Sequence, residues 1–273
     1  MKLITGYNGF IGSYFIKKYT NFLGLEQHNA SHIIERFTKW DEIDEIIHMG
    51  AISSTTETDL NKLHYYNVDL TLQLFNKAIE YQIPVKYASS ASVYGNSTDG
   101  SMNPLNFYAL TKTQIDYWVL DNIDRFESIQ GFRFFNVYGQ GEEHKGNQQS
   151  PVSKFVQQAE EKGIIKIFEG SDKMMRDFVW VEDVIDVVVD NEAPSGIYDI
   201  GSGHTISFKE VAEIIAKKYG AEIQEIPFPE HLKGKYQYET RSAGHWIGKK
   251  FMTVEEYVNL PSPPDTSQTQ SES

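Results

Sequence analysis

At 273 residues, with 40% hydrophobic side chains and 20 glycines, the chain is long enough to bury a substantial core and has the composition of a folded globular protein. A formal charge of -13, from 25 basic against 38 acidic residues, repels phosphate backbones and anionic lipid surfaces and weighs against nucleic acid or a membrane as partner. There is no cysteine, so disulfides and thiolate metal sites are excluded, and no apolar run reaches the ~18 residues of a membrane span; the cytoplasm is the expected compartment.

Lys2 to Thr5 predicts a short buried strand, followed at once by Gly6-Tyr7-Asn8-Gly9-Phe10-Ile11-Gly12 and the helical pattern of Tyr14 to Tyr19. Strand, glycines three apart, then helix is the context of a dinucleotide fingerprint. Gly6 makes the tight turn, Gly9 lets backbone approach a pyrophosphate, and Gly12 packs helix on strand, with the diphosphate at the helix N-terminus. The same residues can also form a glycine-rich turn without a ligand, but the flanking strand and helix favour the cofactor. The expected fold is α/β, a Rossmann-like doubly wound parallel sheet.

Asn21 to Ile43 then has to hold everything before the next clear strand, Glu45 to His48. Two further strand-helix units of ordinary length do not fit there, so the sheet is expected to be shortened at its second or third strand. Glu26 stands near the distance at which such domains place a ribose-binding acid, with His28, Asn29 and His32 close by, and none of them is assigned that role. His28 and His32, four apart, could share a metal; we read them as an exposed pair and expect no metal site.

Small residues, Met49 to Thr56, follow the strand ending at His48, at the end of a parallel strand where open sheets bind ligands. A helix is expected over roughly Asp59 to Tyr81, carrying Asn67, then a strand over Val85 to Ala88 running into Ser89-Ser90-Ala91-Ser92. Serines there can cap a turn or donate to a substrate oxygen; Ser90 does the second if Tyr108 lies beside it. After the turn Asn103 to Asn106 comes Tyr108-Ala109-Leu110-Thr111-Lys112. On a helix this spacing puts the phenol and the ammonium on one face. An adjacent cation favours the phenolate of a side chain that otherwise titrates near pKa ~10. Alone, the pair is a chance pattern of many helices.

The glycine motif, the serine strand and Tyr108-x-x-x-Lys112, in this order and spacing, resemble the extended short-chain dehydrogenase/reductase superfamily. The resemblance implies that Tyr108 shuttles the substrate hydroxyl proton, that Lys112 lowers the tyrosine pKa and binds the nicotinamide ribose, and that Ser90 steadies the substrate oxygen. The cofactor it implies is NADP or NAD. Further along stand Ser53-Ser54-Thr55-Thr56-Glu57, His144-Lys145-Gly146, Phe168-Glu169-Gly170-Ser171 and the stretch from Ile226-Pro227-Phe228-Pro229 to Leu232-Lys233-Gly234-Lys235-Tyr236-Gln237. These are similar to segments of the ADP-glyceromanno-heptose 6-epimerase family, over nearly the whole chain from Lys2 to about Val258.

That family resemblance implies oxidation at C6 of a nucleotide-activated heptose, re-presentation of the carbonyl and hydride return to its other face. A single fixed tyrosine serves only one oxygen position, and the resemblance supplies Lys145 as the second acid/base; by its residue type alone Lys145 is a loop lysine. For the cofactor, Phe10, Ile11, Gly50, Ala51, Asn67, Lys112 and Val137 match family positions. For a nucleotide-sugar substrate the matching positions are Asn136, Asn147, Phe168, Glu169, Gly170, Ser171, Arg176 and Tyr236. Arg176 suits a diphosphate, or else pairs with Asp177 or Asp183. Asn147 stands where the family has serine, and Lys154 where it has histidine; both still offer polar contacts. Another sugar-nucleotide epimerase or dehydratase, such as a 4-epimerase, and a non-catalytic dinucleotide-binding protein are the alternatives. The expected layout is a dinucleotide-binding domain over 1–135, a smaller α/β substrate lobe over 136–259 with elements returning to the core, and a disordered tail over 260–273. A homo-oligomer is implied by resemblance.

Overall fold

The computed structural model describes residues 1–261 except 51, 98, 231, 232, 234, 235, 245 and 247, and of Asn147 only the backbone. The chain runs β1 (Lys2–Thr5), α1 (Phe10–Lys18), β2 (Phe22–Leu25), α2 (Ala30–Arg36), β3 (Glu45–His48), α3 (Leu60–His64), α4 (Leu70–Tyr81), β4 (Val85–Ser90), α5 (Phe107–Asn122), β5 (Ile129–Phe134) and β6 (Asn136–Tyr138). It continues through α6 (Pro151–Lys162), β7 (Ile164–Phe168), β8 (Met175–Trp180), α7 (Val181–Asp190), β9 (Gly196–Ile200), β10 (Thr205–Ser207), α8 (Phe208–Tyr219), β11 (Glu222–Ile226), β12 (Glu239–Thr240) and α9 (Val254–Val258).

Leu3 and Ile4 of β1, and Ile46 and Ile47 of β3, are fully buried on opposite faces of the sheet. Adjacent residues of a strand point to opposite sides, so a strand with both neighbours buried needs helices on both faces. One layer packs Trp40, Leu74, Phe75, Ile115 and Val119 against Leu3 and Ile46; the other packs Phe10, Phe15, Val184 and Val188 against Ile4 and Ile47. Between them lies a six-stranded sheet in the order β2-β1-β3-β4-β5-β9, parallel at every pairing. β2, α2 and a single 3-10 turn, Trp40–Glu42, occupy the stretch between α1 and β3, so one strand-helix unit is missing, as the residue count required. β2 escapes easy notice because it carries Gly24, where a Cβ would stand 2.5 Å from the Tyr7 ring.

The helix expected over 59–81 runs unbroken from Leu60 to Tyr81, α3 and α4 being joined by a π-helical turn, Tyr65–Asp69, in which Asn67 is 2% exposed; π-bulges of this kind often mark functional positions.

The second lobe has its own core, in which Tyr138, Phe155, Ile165, Phe178, Val211, Ile215 and Val258 are buried together. Its strands form the order β10-β8-β12, with β6 also paired to β8, and the pair β11-β7. The chain returns to the first sheet through α7, whose Val184 and Val188 pack with α1, and through β9 on β5. Among the described residues no helix is long and apolar enough to cross a membrane.

Candidate active site

A cavity of about 500 Å³ opens at the carboxyl ends of β1, β3, β4 and β5. Its wall includes Gly6, Gly9, Phe10, Ile11 and Gly12, so the N-terminus of α1 faces it without a side-chain cap or an acidic residue in the first turn. Such a terminus favours an anion. A Cβ on Gly12 would lie 2.7 Å from the Gly6 carbonyl carbon and 2.9 Å from Tyr7 Cα, whereas one on Gly9 would meet only Gly6 O, at 3.2 Å. Gly12 is therefore required by packing, while Gly9 leaves the cavity floor bare. Ser89 Oγ, buried on the same wall, has no hydrogen-bond partner among the described residues. An uncapped helix end, a bare glycine floor and an orphaned hydroxyl are features that a dinucleotide would satisfy.

Asn106 accepts from the Ala109 N–H at 2.8 Å and starts α5 one residue ahead of Tyr108. Tyr108 and Lys112 both line the cavity, 8% and 6% exposed. Burial pushes the Tyr108 phenol above its ordinary value, a hydrogen bond with Ser90 pulls it back, and Asp116 adds to the rise. Lys112 Nζ donates to the Ala88 carbonyl at 2.6 Å, and burial pulls the ammonium down to about 8 against the opposing charge of Asp116. The Lys112 ammonium is thus held at the Ala88 carbonyl, and the neighbour that favours the phenolate is Ser90. Ser90 also keeps the capping use, accepting from the Ser92 N–H at 3.1 Å.

α5 is locked to the sheet by a buried network. Asp116, 0% exposed, accepts from Tyr87 Oη at 3.0 Å and Arg133 Nε at 2.8 Å; Arg133 reaches Tyr94, whose hydroxyl donates to Asp199 at 2.6 Å. With Asp116 paired to Arg133 and Asp199 hydrogen-bonded to Tyr94 and the Ala243 N–H, the network holds α5 in one register. On the opposite wall, His48 lies between the hydroxyls of Thr5 (2.8 Å) and Thr71 (2.9 Å), and burial pulls it down to about 3, so it stays neutral. Thr5 also accepts from the Gly50 N–H at 2.8 Å, which fixes the loop bearing Gly50.

Gly50, Val137 and Lys145 line the cavity as well. Lys145 sits in the turn Glu143–Gln148, its Nζ 2.7 Å from Glu142 and 4.9 Å from the centre of the Phe10 ring. Asn67 does not line the cavity. It clamps the loop after β3, accepting from the Ile52 N–H at 2.8 Å and donating to Ile52 O at 3.0 Å, and it donates to Thr111 of α5 at 3.1 Å. Its place is behind the wall, tying the loop to α5. Ala51 and the Asn147 side chain lie outside the described residues.

The remaining substrate candidates form a second group, off the cavity wall. Arg176 on β8, 5% exposed, donates to the carbonyls of Met175 and Gln237 and stands 5.4 Å and 5.2 Å from the ring centres of Phe208 and Tyr236. It pairs with neither Asp177, which Ser202, Gly203 and Ser242 satisfy, nor Asp183, which binds the Met252 N–H and Lys249. Phe168 continues the aromatic row through Phe228 to Tyr236; Ser171 donates to Phe168 O at 2.6 Å, while Glu169 and Gly170 are exposed. Asn136 links the groups: it precedes Val137 of the cavity wall and accepts from Thr240, whose strand pairs beside Arg176.

Two residues gain a place the sequence does not assign them. Glu26, directly after β2, lines the cavity and accepts from the Asn8 N–H of the glycine turn at 2.8 Å; its distance from Gly12 was the available signal. Glu142, beside Lys145, carried none. His28 and His32 are both exposed, and no cluster of three or more metal-ligating side chains occurs among the described residues.

Comparison with known proteins agrees with this geometry. An ADP-L-glycero-D-manno-heptose-6-epimerase of Brachyspira hyodysenteriae is 33% identical, over 93% of this chain and 94% of its own. The crystal structure of the Helicobacter pylori ADP-L-glycero-D-manno-heptose-6-epimerase shares the fold at a TM-score of 0.76 and 23% identity, covering 94% of this chain and 93% of that one. The UDP-glucose 4-epimerase of Thermotoga maritima, with UDP-glucose, shares it at 0.81 and 20%, covering 94% and 95%. Residues 2–201, from β1 through β9, match the NAD dependent epimerase/dehydratase family, and the chain belongs to it.

Proposed function

We propose that this protein interconverts the C6 epimers of an ADP-linked glyceromanno-heptose. The observation that carries the reading is that one cavity brings together two proton-handling groups from separate segments, Tyr108 of α5 and Lys145 of the loop after β6. Bound nicotinamide dinucleotide supplies the oxidant that removes hydrogen from the sugar carbon and restores it. Tyr108, steadied by Ser90, takes the hydroxyl proton of one epimer. Lys145, an ammonium in its ion pair, gives a proton to the oxygen of the other. Arg176, a buried guanidinium with no carboxylate partner among the described residues, is the anchor for the diphosphate.

Glu26 favours NAD over NADP. A carboxylate at the end of the second strand accepts from a ribose hydroxyl and repels a 2′-phosphate, and no cation stands on the adjoining wall of Leu25, Gln27, Ala30 and Ile34. The test is apo-protein reconstituted with NAD or NADP and offered ADP-heptose, UDP-glucose and UDP-N-acetylglucosamine, with products read by NMR. Conversion of ADP-heptose between its C6 epimers is expected, with NAD bound at least about tenfold tighter, or about 1.4 kcal/mol. Turnover of a UDP-sugar alone would point to a 4-epimerase, and no turnover to a binding protein.

The homo-oligomer that the resemblance implies is placed, in this proposal, on α5. That helix buries Thr111, Lys112, Thr113 and Asp116 while exposing Phe107, Leu110, Tyr117 and Leu120 by 43–54%, beside exposed Leu60 and Tyr65. A helix whose inner face is already packed and which still exposes four large apolar side chains suits a second copy on its outer face. Sedimentation should give a dimer or larger that Leu110→Glu with Tyr117→Glu reduces to monomer; a monomeric wild type would refute the assignment.

A further inference from the structure

We propose that Glu142 is a positioning residue that holds Lys145 in place for proton transfer, an inference that rests on Lys145 being the second acid/base. The Glu142 side chain is 1% exposed, yet it is ionically and hydrogen-bonded on every side. Oε1 accepts from the Gly139 N–H (3.3 Å), Ser150 Oγ (2.7 Å) and Ser153 Oγ (2.7 Å); Oε2 accepts from the Ser150 N–H (2.8 Å) and Lys145 Nζ (2.7 Å). A carboxylate offers about four acceptor sites, so this one is saturated and cannot swing.

Four of its five donors belong to the strand exit at Gly139 and the first turn of α6. The fifth, Lys145, is the only long and flexible one. The carboxylate is thus a fixed post to which a mobile ammonium is tied. On its other side the ammonium meets the Phe10 ring of α1, the helix whose N-terminus forms the cofactor end of the cavity. Ser150 extends the link, because the hydroxyl that donates to Glu142 also caps α6 by accepting from the Ser153 N–H at 3.2 Å. Lys145 is therefore set relative to both the cofactor helix and the second lobe. A lysine in a surface turn would otherwise sample many rotamers, and a misplacement of about 1 Å at a reacting group can cost about a hundredfold in rate.

The other role open to Glu142 is to stabilise the turn alone. A double-mutant cycle separates the two, because residues acting through one another are not additive whereas a structural loss adds independently. Glu142→Gln, Lys145→Ala and the pair, each as the cofactor-loaded full chain, are compared by kcat and KM, with slow conversion followed by NMR over days. Glu142→Gln should lose about a hundredfold in kcat with little change in KM, and should cost nothing further when Lys145 is already alanine. A Glu142→Gln enzyme as fast as wild type, or losses that multiply in the pair, would overturn the proposal. Full activity of Lys145→Ala would instead remove the second acid/base itself, a result the Glu142→Gln arm does not produce. Should Glu142→Gln fail to fold, the same cycle is run with Glu142→Asp, which keeps the charge and withdraws it by one methylene, and the same outcomes apply.

Discussion

Tyr108→Phe is expected to lower kcat for epimerisation by about 10²–10⁴-fold, the range for loss of a general acid/base, while leaving cofactor binding unchanged. The ring is 8% exposed and packed in α5, and phenylalanine keeps that packing. What disappears is one hydroxyl, the group bonded with Ser90 at the cavity wall. Lys112 keeps its bond to the Ala88 carbonyl, and Asp116 its bonds to Tyr87 and Arg133, so the helix has no reason to move. The check pairs the epimerisation rate with the nicotinamide released on denaturation. Activity within tenfold of wild type would show that the phenol does not handle the proton.

Gly12→Ala should act at the other end of the cavity and through geometry alone. The new Cβ would press on the Gly6 carbonyl group and lie 2.9 Å from Tyr7 Cα, and these are backbone atoms that no rotamer change can move aside. Gly6 cannot yield either. It has φ +64, and a Cβ there would stand 2.7 Å from Gly50 Cα, so the turn is already closed against the loop after β3. The start of α1 must then shift, carrying with it the N–H groups that would hold a diphosphate. The expected result is at least about a hundredfold weaker dinucleotide binding, or about 2.7 kcal/mol, by calorimetric titration of the apo-protein. Wild-type affinity in a folded Gly12→Ala protein would mean that the glycine turn is not the cofactor cradle.

Both predictions use motifs that can be read without a structure, and the reason is that each is local. Strand, turn and helix over residues 2–18 are set by alternation and by glycine spacing, and Tyr108 and Lys112 share a helix face because of a fixed rise and twist per residue. The missing strand-helix unit was also legible, since chain length bounds how many elements fit before Glu45. Where the reading departed from the structure, the cause was a local break in a regular pattern. The π turn at Tyr65–Asp69 makes Asn67, inside the expected helix, a clamp between the Ile52 loop and Thr111, and Gly24 hid β2, and with it the significance of Glu26.

Spacing along the chain marks β1, α1, β3 and β4, the place of the glycine turn, and the phenol and ammonium that share a face of α5. Those are consequences of spacing within a few residues. What each polar group touches is set by the packing of distant elements: Lys112 meets the Ala88 carbonyl, Arg176 two aromatic rings rather than a carboxylate, and Lys145 the buried Glu142. Hydrogen bonds and charges are settled by desolvation, and desolvation depends on which distant strands and helices close over a side chain. No pattern along the chain records that.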